Sequence, residues 1–201
     1  MMHVNYEEII YVYDSEECQK EEEVIKDLIL NIPNGIRQKR IIDVGCGDGL
    51  LLKLLNTAIE KYMYIGIDPC NAMITRAIER YPENMFIKTG AEILIQEIAT
   101  KHDIVISLFS IPYFGADTID DIFNVLKTGG YFFTVYYAKP YLNPASVYAK
   151  REQHYDSFVL PQVRACIKKA KKMFSTVYEE PLTPSGAYYA ALFRKESLMT
   201  K

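Results

Sequence analysis

The sequence predicts an α/β fold built on a parallel sheet with helices on both faces. Short β-rich runs alternate with helical stretches along the 201 residues, as in consecutive βα units. The run Ile104–Ile106 is continuously apolar, which is typical of strands covered on both sides. Hydrophobic residues make up 49% of the chain and charged residues 24%, a balance that supports a real core and argues against disorder.

Hydrophobic spacing and turn residues predict the elements of the first half. In chain order we expect a helix over 15–31, a strand over 40–44, a helix over 50–61, a strand over 62–67, a helix over 71–80, a strand over 85–88 and a helix over 92–100. Ser15 is the expected cap of the first helix, and Asn71 lies at or near the cap of the third. Leu51, Leu54, Leu55 and Ile59 should face inward from the second helix.

The same signals define the second half. We expect a strand over 103–109, a helix over 117–126, a strand over 131–137, a helix over 160–173 and two closing strands over 174–178 and 188–193. The run 127–130, which contains two glycines, should end the helix before it. Pro181, Pro184 and Gly186 should form the turn between the closing strands.

The length is that of one ordinary domain, and we expect residues 1–201 to form a single unit. Residues 1–35 form its N-terminal helical segment. Residues 138–159 break the alternation with prolines, aromatic residues and mixed charges. Loops on a rigid scaffold usually carry specificity, so we expect this insertion to cover the substrate.

Charge and cysteine usage narrow the class of protein. The net charge of −3 gives no indication of a large nucleic-acid-binding surface. No apolar run approaches the ~18–20 residues that cross a bilayer, and the N-terminus lacks a secretory pattern. The cysteines are widely separated, so no zinc site, other metal site or disulfide framework is expected. We expect a cytoplasmic protein without membrane contact, and no signal specifies an oligomeric state.

A ligand site is indicated where the first strand ends. Gly45, Gly47 and Gly49 occupy every second position between that strand and the next helix. Glycines permit positive φ and close approach of the backbone to a ligand, and the helix N-terminus offers free N–H groups to a carboxylate. Asp43 lies near the carboxyl end of the strand, where ligands bind in open α/β sheets.

The spacing of these glycines separates two kinds of nucleotide ligand. A dinucleotide fingerprint would need glycine at the position of Leu50. S-adenosylmethionine (SAM) has no phosphate; it carries a carboxylate and an ammonium instead, and Asp43 suits the ammonium. The pattern favours SAM over a nicotinamide cofactor, and a purely structural glycine turn is the remaining alternative.

A second acid supports this interpretation. Asp68 ends the second strand within Tyr64–Pro69. An acid at this place can accept hydrogen bonds from both ribose hydroxyls, as in dinucleotide sites. Capping the following helix is the alternative role.

The segments IIDVGCGDG, YIGIDPCNAMITRA, HDIVISLFSIPYF and VLKTGGYFF, spread over residues 38–137, resemble the class I SAM-dependent methyltransferase family. The resemblance implies SAM as cofactor and a Rossmann-like, seven-stranded, mostly parallel sheet with an antiparallel last strand. It also implies roles for individual residues. Asp43, Gly45, Cys46, Gly47 and Gly49 belong to the methionine side, Asp68 to the ribose, Pro69 and Cys70 to the adenine, and Leu108 and Phe109 to the space beside the methyl group.

One segment departs from the family pattern. The family often has an acid for the adenine amine after the third strand, where this chain has Gly90. The Ala91 N–H and Glu92 are the candidate replacements, and Glu92 is equally suited to capping a helix.

The acceptor side offers weaker signals. Ser110–Tyr113 loosely resembles the D/N/S-P-P-Y run of amino-methyltransferases, with Ile111 in place of the first proline. Tyr113 and Phe114 are candidates for the pocket wall or for packing, and Tyr113 and His154 are the catalytic candidates; His154 could act as a general base. Further aromatic candidates are Tyr136, Tyr137, Tyr141, Tyr148 and Tyr155 for the acceptor and Tyr6, Tyr11 and Tyr13 for the cofactor.

The leading hypothesis from the sequence is methyl transfer from SAM to a small metabolite. Methylation of RNA, a cap or a protein is the alternative, supported by the basic helix 164–172 and Ser110–Tyr113. A solvated helix face also explains the basic residues. A SAM-binding partner subunit without activity is a third hypothesis, and Leu50 disfavours a nicotinamide oxidoreductase.

Overall fold

The computed structural model describes residues 16–55, 58–60, 63–91, 100–113, 115–138, 160–182, 186 and 188–197. For 16–21 and Pro112 it describes the backbone only. The helix predicted over 92–100 falls almost entirely outside these ranges.

The described strands form one seven-stranded sheet. They are β1 (Ile41–Val44), β2 (Tyr64–Asp68), β3 (Met85–Lys88), β4 (His102–Leu108), β5 (Leu126–Tyr137), β6 (Ser175–Pro181) and β7 (Tyr188–Arg194). The order is β3-β2-β1-β4-β5-β7-β6. The strands β1 to β5 pair in parallel, and β7 is antiparallel to both β5 and β6. The predicted sheet with an antiparallel last strand is confirmed.

Helices pack on both faces of this sheet, as predicted. They are α1 (Glu16–Leu30), α2 (Leu50–Leu55), α3 (Asn71–Arg80), α4 (Thr118–Val125), α5 (Leu160–Met173) and a 3₁₀ turn (Ile111–Tyr113). The helices α1 and α2 share one apolar cluster with Ile104 and Ile106. The helices α4 and α5 share the other with Val105, because successive residues of a strand point to opposite faces. No helix in the described part of the chain is long and apolar enough to span a membrane.

Two predicted boundaries are wrong. Helix α2 ends at Leu55, and Ala58–Glu60 are not α-helical, yet Ile59 is buried. Its apolar spacing therefore reflects burial and not helical continuity. Strand β5 begins at Leu126, five residues early, because Asp103 of β4 faces the run 127–130 as a bulge. Gly129 donates its N–H to the Lys195 carbonyl at 2.7 Å, which holds the bulge in the sheet.

One turn assignment is confirmed and one changes. The N-cap of α3 is Cys70, so Asn71 lies next to the cap as predicted, and no side chain caps the helix. Pro181 belongs to β6 and not to the following turn. This placement suits proline, because Pro181 ends an edge strand, where a missing N–H costs no ladder hydrogen bond.

Truncating the central strand should destabilise the whole domain. Ile106 is fully buried in β4, so Ile106→Ala should lower the free energy of unfolding by about 2–5 kcal/mol. Val177→Ala is the matched control on the edge strand, where the side chain is 46% exposed, and it should change the value by less than about 0.5 kcal/mol. Urea unfolding followed by circular dichroism measures both; equal effects would contradict the assigned core.

Candidate functional site

The turn after β1 lies at the edge of the sheet where parallel strands end. Residues Gly45–Gly49, here called the glycine loop, connect β1 to α2. The φ angles of Gly45, Gly47 and Gly49 are 71°, 56° and 98°. These values lie in the left-handed region, which glycine adopts without steric cost. The expected special backbone conformation is present at all three positions.

Glycine is required at position 45 because a neighbouring side chain leaves no room for a Cβ. A Cβ placed there would lie 2.3 Å from the Ser110 Cβ. Ser110 fills that space and donates from its hydroxyl to the Val44 carbonyl at 2.5 Å. Because Ser110 has one hydroxyl proton, Ser107 donates the bond that joins their Oγ atoms at 2.6 Å. The turn after β4 is thereby fastened to the glycine loop.

The other two glycines differ from each other. A Cβ on Gly49 would meet the Tyr81 ring at 2.6 Å, whereas a Cβ on Gly47 would meet no atom within 4 Å. The Gly47 N–H donates to Asp68 Oδ2 at 3.0 Å. Of the three glycines, only Gly47 has open space at the position that a Cβ would occupy.

Asp68 stands beside that space at the end of β2. Its Oδ1 accepts the Cys70 N–H at 2.8 Å, so each oxygen holds one backbone donor. A carboxylate has about four acceptor positions, and Asp68 therefore keeps capacity for further donors. Burial raises the pKa of Asp68, against the lowering effect of the two N–H bonds. The Cys70 contact also gives Asp68 a local role at the start of α3.

Asp43 is buried next to Asp68. Its Oδ2 accepts the Tyr64 hydroxyl at 3.0 Å. Burial raises the pKa of Asp43 to about 7, the Tyr64 bond lowers it, and the charge of Asp68 raises it. The effect of the Asp68 charge on the pKa of Asp43 indicates that the two acids lie close enough to interact, as their predicted common ligand requires.

Tyr64 and Gly66 are functional candidates that the sequence did not identify as a pair. Gly66 is the register partner of Asp43, and Tyr64 lies two residues earlier, on the same face of the sheet. A Cβ on Gly66 would lie 2.7 Å from the Tyr64 hydroxyl. The missing side chain lets that hydroxyl reach Asp43. A glycine inside a strand was the available signal.

An aromatic cluster lies where β4 and β5 end. The Phe109 ring centroid is 5.6 Å from that of Tyr137 and 5.8 Å from that of Tyr188, and the two tyrosine rings are 4.7 Å apart. Phe109 has a φ of 59°, which a bulky residue rarely adopts and which is typical of functional positions. Leu108 beside it is buried.

The remaining predicted residues are placed as follows. Cys46 and Ala91 are buried, and burial raises the pKa of the Cys46 thiol. Pro69 is exposed, Cys70 is half-buried, and the Tyr113 side chain is 47% exposed. Ser110 uses its hydroxyl in bonds to Val44 and Ser107 within the fold, which weakens the resemblance of Ser110–Tyr113 to the run of amino-methyltransferases. His154, Glu92, Phe114, Tyr141, Tyr148, Tyr155, Tyr6, Tyr11 and Tyr13 lie outside the described residues.

Comparison with known proteins shows what this edge of the sheet is similar to. Residues 41–130 match the family model of a methyltransferase domain, and the match includes the glycine loop and both acids. The matched range covers just under half of the chain, and over that range the chain is similar to this family. Methyltransferases of this family use SAM as the methyl donor.

Curated and solved proteins include several that are similar to this chain. Putative methyltransferase 235L of Invertebrate iridescent virus 6 is 34% identical over 93 residues, which cover 45% of this chain and 34% of the viral protein. The matched segment thus spans about one third of that relative. The PH0226 protein of Pyrococcus horikoshii has a TM-score of 0.72 at 21% identity, covering 97% of this chain and all of that one. The N-methyltransferase NodS of Bradyrhizobium japonicum, solved with S-adenosyl-L-homocysteine (SAH), has a TM-score of 0.66 at 16% identity, covering 92% and 90%.

The buried Asp43 should make the stability of the folded chain depend measurably on pH. Its pKa is about 7 when folded and about 3.9 when unfolded, so between these values the folded state alone holds the proton. Asp43 therefore reduces the free energy of unfolding by up to about 1.4 kcal/mol per pH unit as the pH rises from about 4 to about 7.

Asp43→Asn removes this titration. Urea unfolding from pH 5 to 8 should show wild-type stability falling relative to the variant up to about pH 7 and running parallel above it. Parallel profiles over the whole range would contradict a protonated, buried Asp43.

Proposed function

We propose that this chain transfers a methyl group from SAM to a small-molecule acceptor. The observation that supports this proposal most directly is the hydrogen bond from the Gly47 N–H to Asp68, beside the buried Asp43. It joins two acids at the ends of neighbouring strands to the one glycine of the loop that faces open space.

The chemistry of these groups fits SAM. An ammonium beside Asp43 would favour the charged carboxylate and offset the burial that now raises its pKa. Asp68 retains acceptor positions for ribose hydroxyls, because only one backbone donor occupies each oxygen. The bare backbone at Gly47 permits close contact with the methionine portion.

The neighbouring residues would complete the cofactor site. We assign Gly45, Cys46 and Gly49 to shaping the loop on the methionine side. Pro69, Cys70, Ala91 and Glu92 are assigned to the adenine side, and Leu108 and Phe109 to the methyl group. When bound, SAM supplies a methyl group on a sulfonium, which an acceptor displaces in line.

The chain's own contribution is orientation. The bonds of Ser110 to Val44 and Ser107 fix the turn that carries Phe109 relative to the glycine loop. Fixed geometry of this kind is the main requirement of an in-line displacement. His154 is our candidate for receiving an acceptor proton, and Tyr113 is our second catalytic candidate, in the wall of the acceptor pocket.

A small acceptor and a cytoplasmic location are the finer parts of the proposal. The cleft described below has the volume of a small-molecule site. Cys46, Cys70 and Cys166 are free thiols, consistent with a reducing compartment.

Calorimetry with SAM and SAH tests the cofactor site. Gly47→Ala should weaken binding of both about ten-fold or more, because the added Cβ enters the open space beside Asp68. Gly35→Ala is a matched control, since Gly35 also has positive φ and also meets no atom within 4 Å.

Both substitutions should cost a similar backbone strain of about 1 kcal/mol, and only Gly47→Ala should change affinity. Two results would overturn the proposal: failure of the wild type to bind either compound below millimolar concentration, or equal affinities for the two variants.

A further inference from the structure

A second concave region lies between α5 and the end of β5. This region, here called the α5 cleft, has a volume of about 540 Å³, within the range of small-molecule sites. Its apolar lining includes Tyr136 and Ala138 from the strand and Val163 and Ile167 from the helix. Tyr136, Val163 and Ile167 are buried in the fold, so these side chains form the base of the cleft, against which an apolar body would lie.

Basic side chains line the same cleft. Arg164, Lys168 and Lys172 recur every fourth residue, so they form one column along α5. Within the described residues none of the three forms an ion pair. Like charges at this spacing destabilise a helix, and α5 itself contains no acidic residue to offset the repulsion. An anion in the cleft would offset it.

The other charges of the region are already paired, which sharpens this contrast. Lys171 contacts Glu179 Oε2 at 2.5 Å, and Tyr136 donates to Glu179 Oε1 at 2.5 Å. Lys169, beside Lys168 in sequence but outside the cleft lining, pairs with Asp117 at 3.1 Å and also with Asp120. Glu179, the only acid among the described residues of the cleft lining, is therefore engaged by partners other than the column.

The α5 cleft opens near the proposed site of transfer. The end of β5 lies two strands from β1, which at about 4.8 Å per strand is about 10 Å sideways along one edge of the sheet. Tyr137 belongs both to the cleft lining and to the aromatic cluster around Phe109. Ile111, in the turn after β4, shares the apolar cluster of Val163, so α5 packs against that turn.

We infer that the α5 cleft holds the methyl acceptor and that this acceptor is a small organic anion, with a carboxylate or phosphate on an apolar or aromatic body. This inference rests on the proposed methyl transfer. The column of Arg164, Lys168 and Lys172 binds the anionic group, and the apolar side of α5 and β5 holds the body.

Binding of simple probes tests the inference. Benzoate, phenyl phosphate and neutral benzyl alcohol are titrated in the presence of saturating SAH, with saturation-transfer NMR as the readout. Wild type should bind one or both anions and bind benzyl alcohol more weakly. The stronger of the two anions identifies the charged group, and 0.5 M salt should weaken its binding.

Lys168→Gln and Lys169→Gln form the matched pair, because the same charge is removed from adjacent residues of α5. Lys168→Gln should weaken binding of the anion about five-fold, Arg164→Gln/Lys168→Gln more strongly, and Lys169→Gln hardly at all. Affinity for SAH should be unchanged in every variant, because the column lies outside the assigned cofactor residues.

Three results would overturn the inference while SAH still binds. The first two are equal effects of Lys168→Gln and Lys169→Gln on anion binding, and benzyl alcohol that binds as tightly as the anions. The third is a wild type that binds neither anion but binds a single-stranded RNA 12-mer through Lys168. Loss of SAH binding by the wild type would instead reject the proposed function itself.

Discussion

The three glycines of the glycine loop each omit a Cβ for a different reason, and the geometry of the site depends on that division. Ser110 occupies the space at Gly45, the Tyr81 ring occupies the space at Gly49, and the space at Gly47 is open. The outer glycines therefore fix the loop against the turn after β4 and the end of α3. With its flanks held by protein contacts, the middle of the loop presents bare backbone beside Asp68. Tight packing on both sides thus creates the opening between them.

Burying two acids beside this opening conflicts with stability. A carboxylate removed from water is costly unless hydrogen bonds or a cation compensate for the lost hydration. Asp68 has two backbone donors, whereas Asp43 has the Tyr64 hydroxyl, and its pKa rises to about 7. Near neutral pH the fold therefore holds Asp43 partly protonated. A cationic ligand would remove that penalty, so the residue that weakens the empty domain is the one that would gain most from an ammonium.

The parts of this arrangement that follow local rules could be predicted from sequence, and the non-local parts could not. The bounds of α3, β3 and α5 agree with the helical or strand periodicity of their own residues. The bulge in β5 escaped prediction because Gly129 and Gly130 have the composition of a turn, and a bond to Lys195, 66 positions later, keeps them in the sheet. The Tyr64–Asp43 bond depends on the register that places Gly66 opposite Asp43. Asp43 and Asp68 could be identified from the sequence because their places at strand ends are a local signal. The burial of Ser110 could not, because it depends on β4 lying beside β1.

The two ends of the proposed reaction differ in how rigidly they are built. Backbone N–H groups and buried acids form the cofactor side, and few substitutions there would preserve both φ and hydrogen bonding. The acceptor side consists of aromatic rings at strand ends and long basic side chains on α5, which adapt without moving the backbone. The strained φ of Phe109 is held by the bond from its N–H to the Val135 carbonyl at 2.8 Å, so β5 fixes the backbone that positions the Phe109 ring. Changes on the exposed face of α5 can therefore alter the acceptor while the glycine loop keeps its geometry, because α5 meets the β4 turn through apolar contacts such as Ile111.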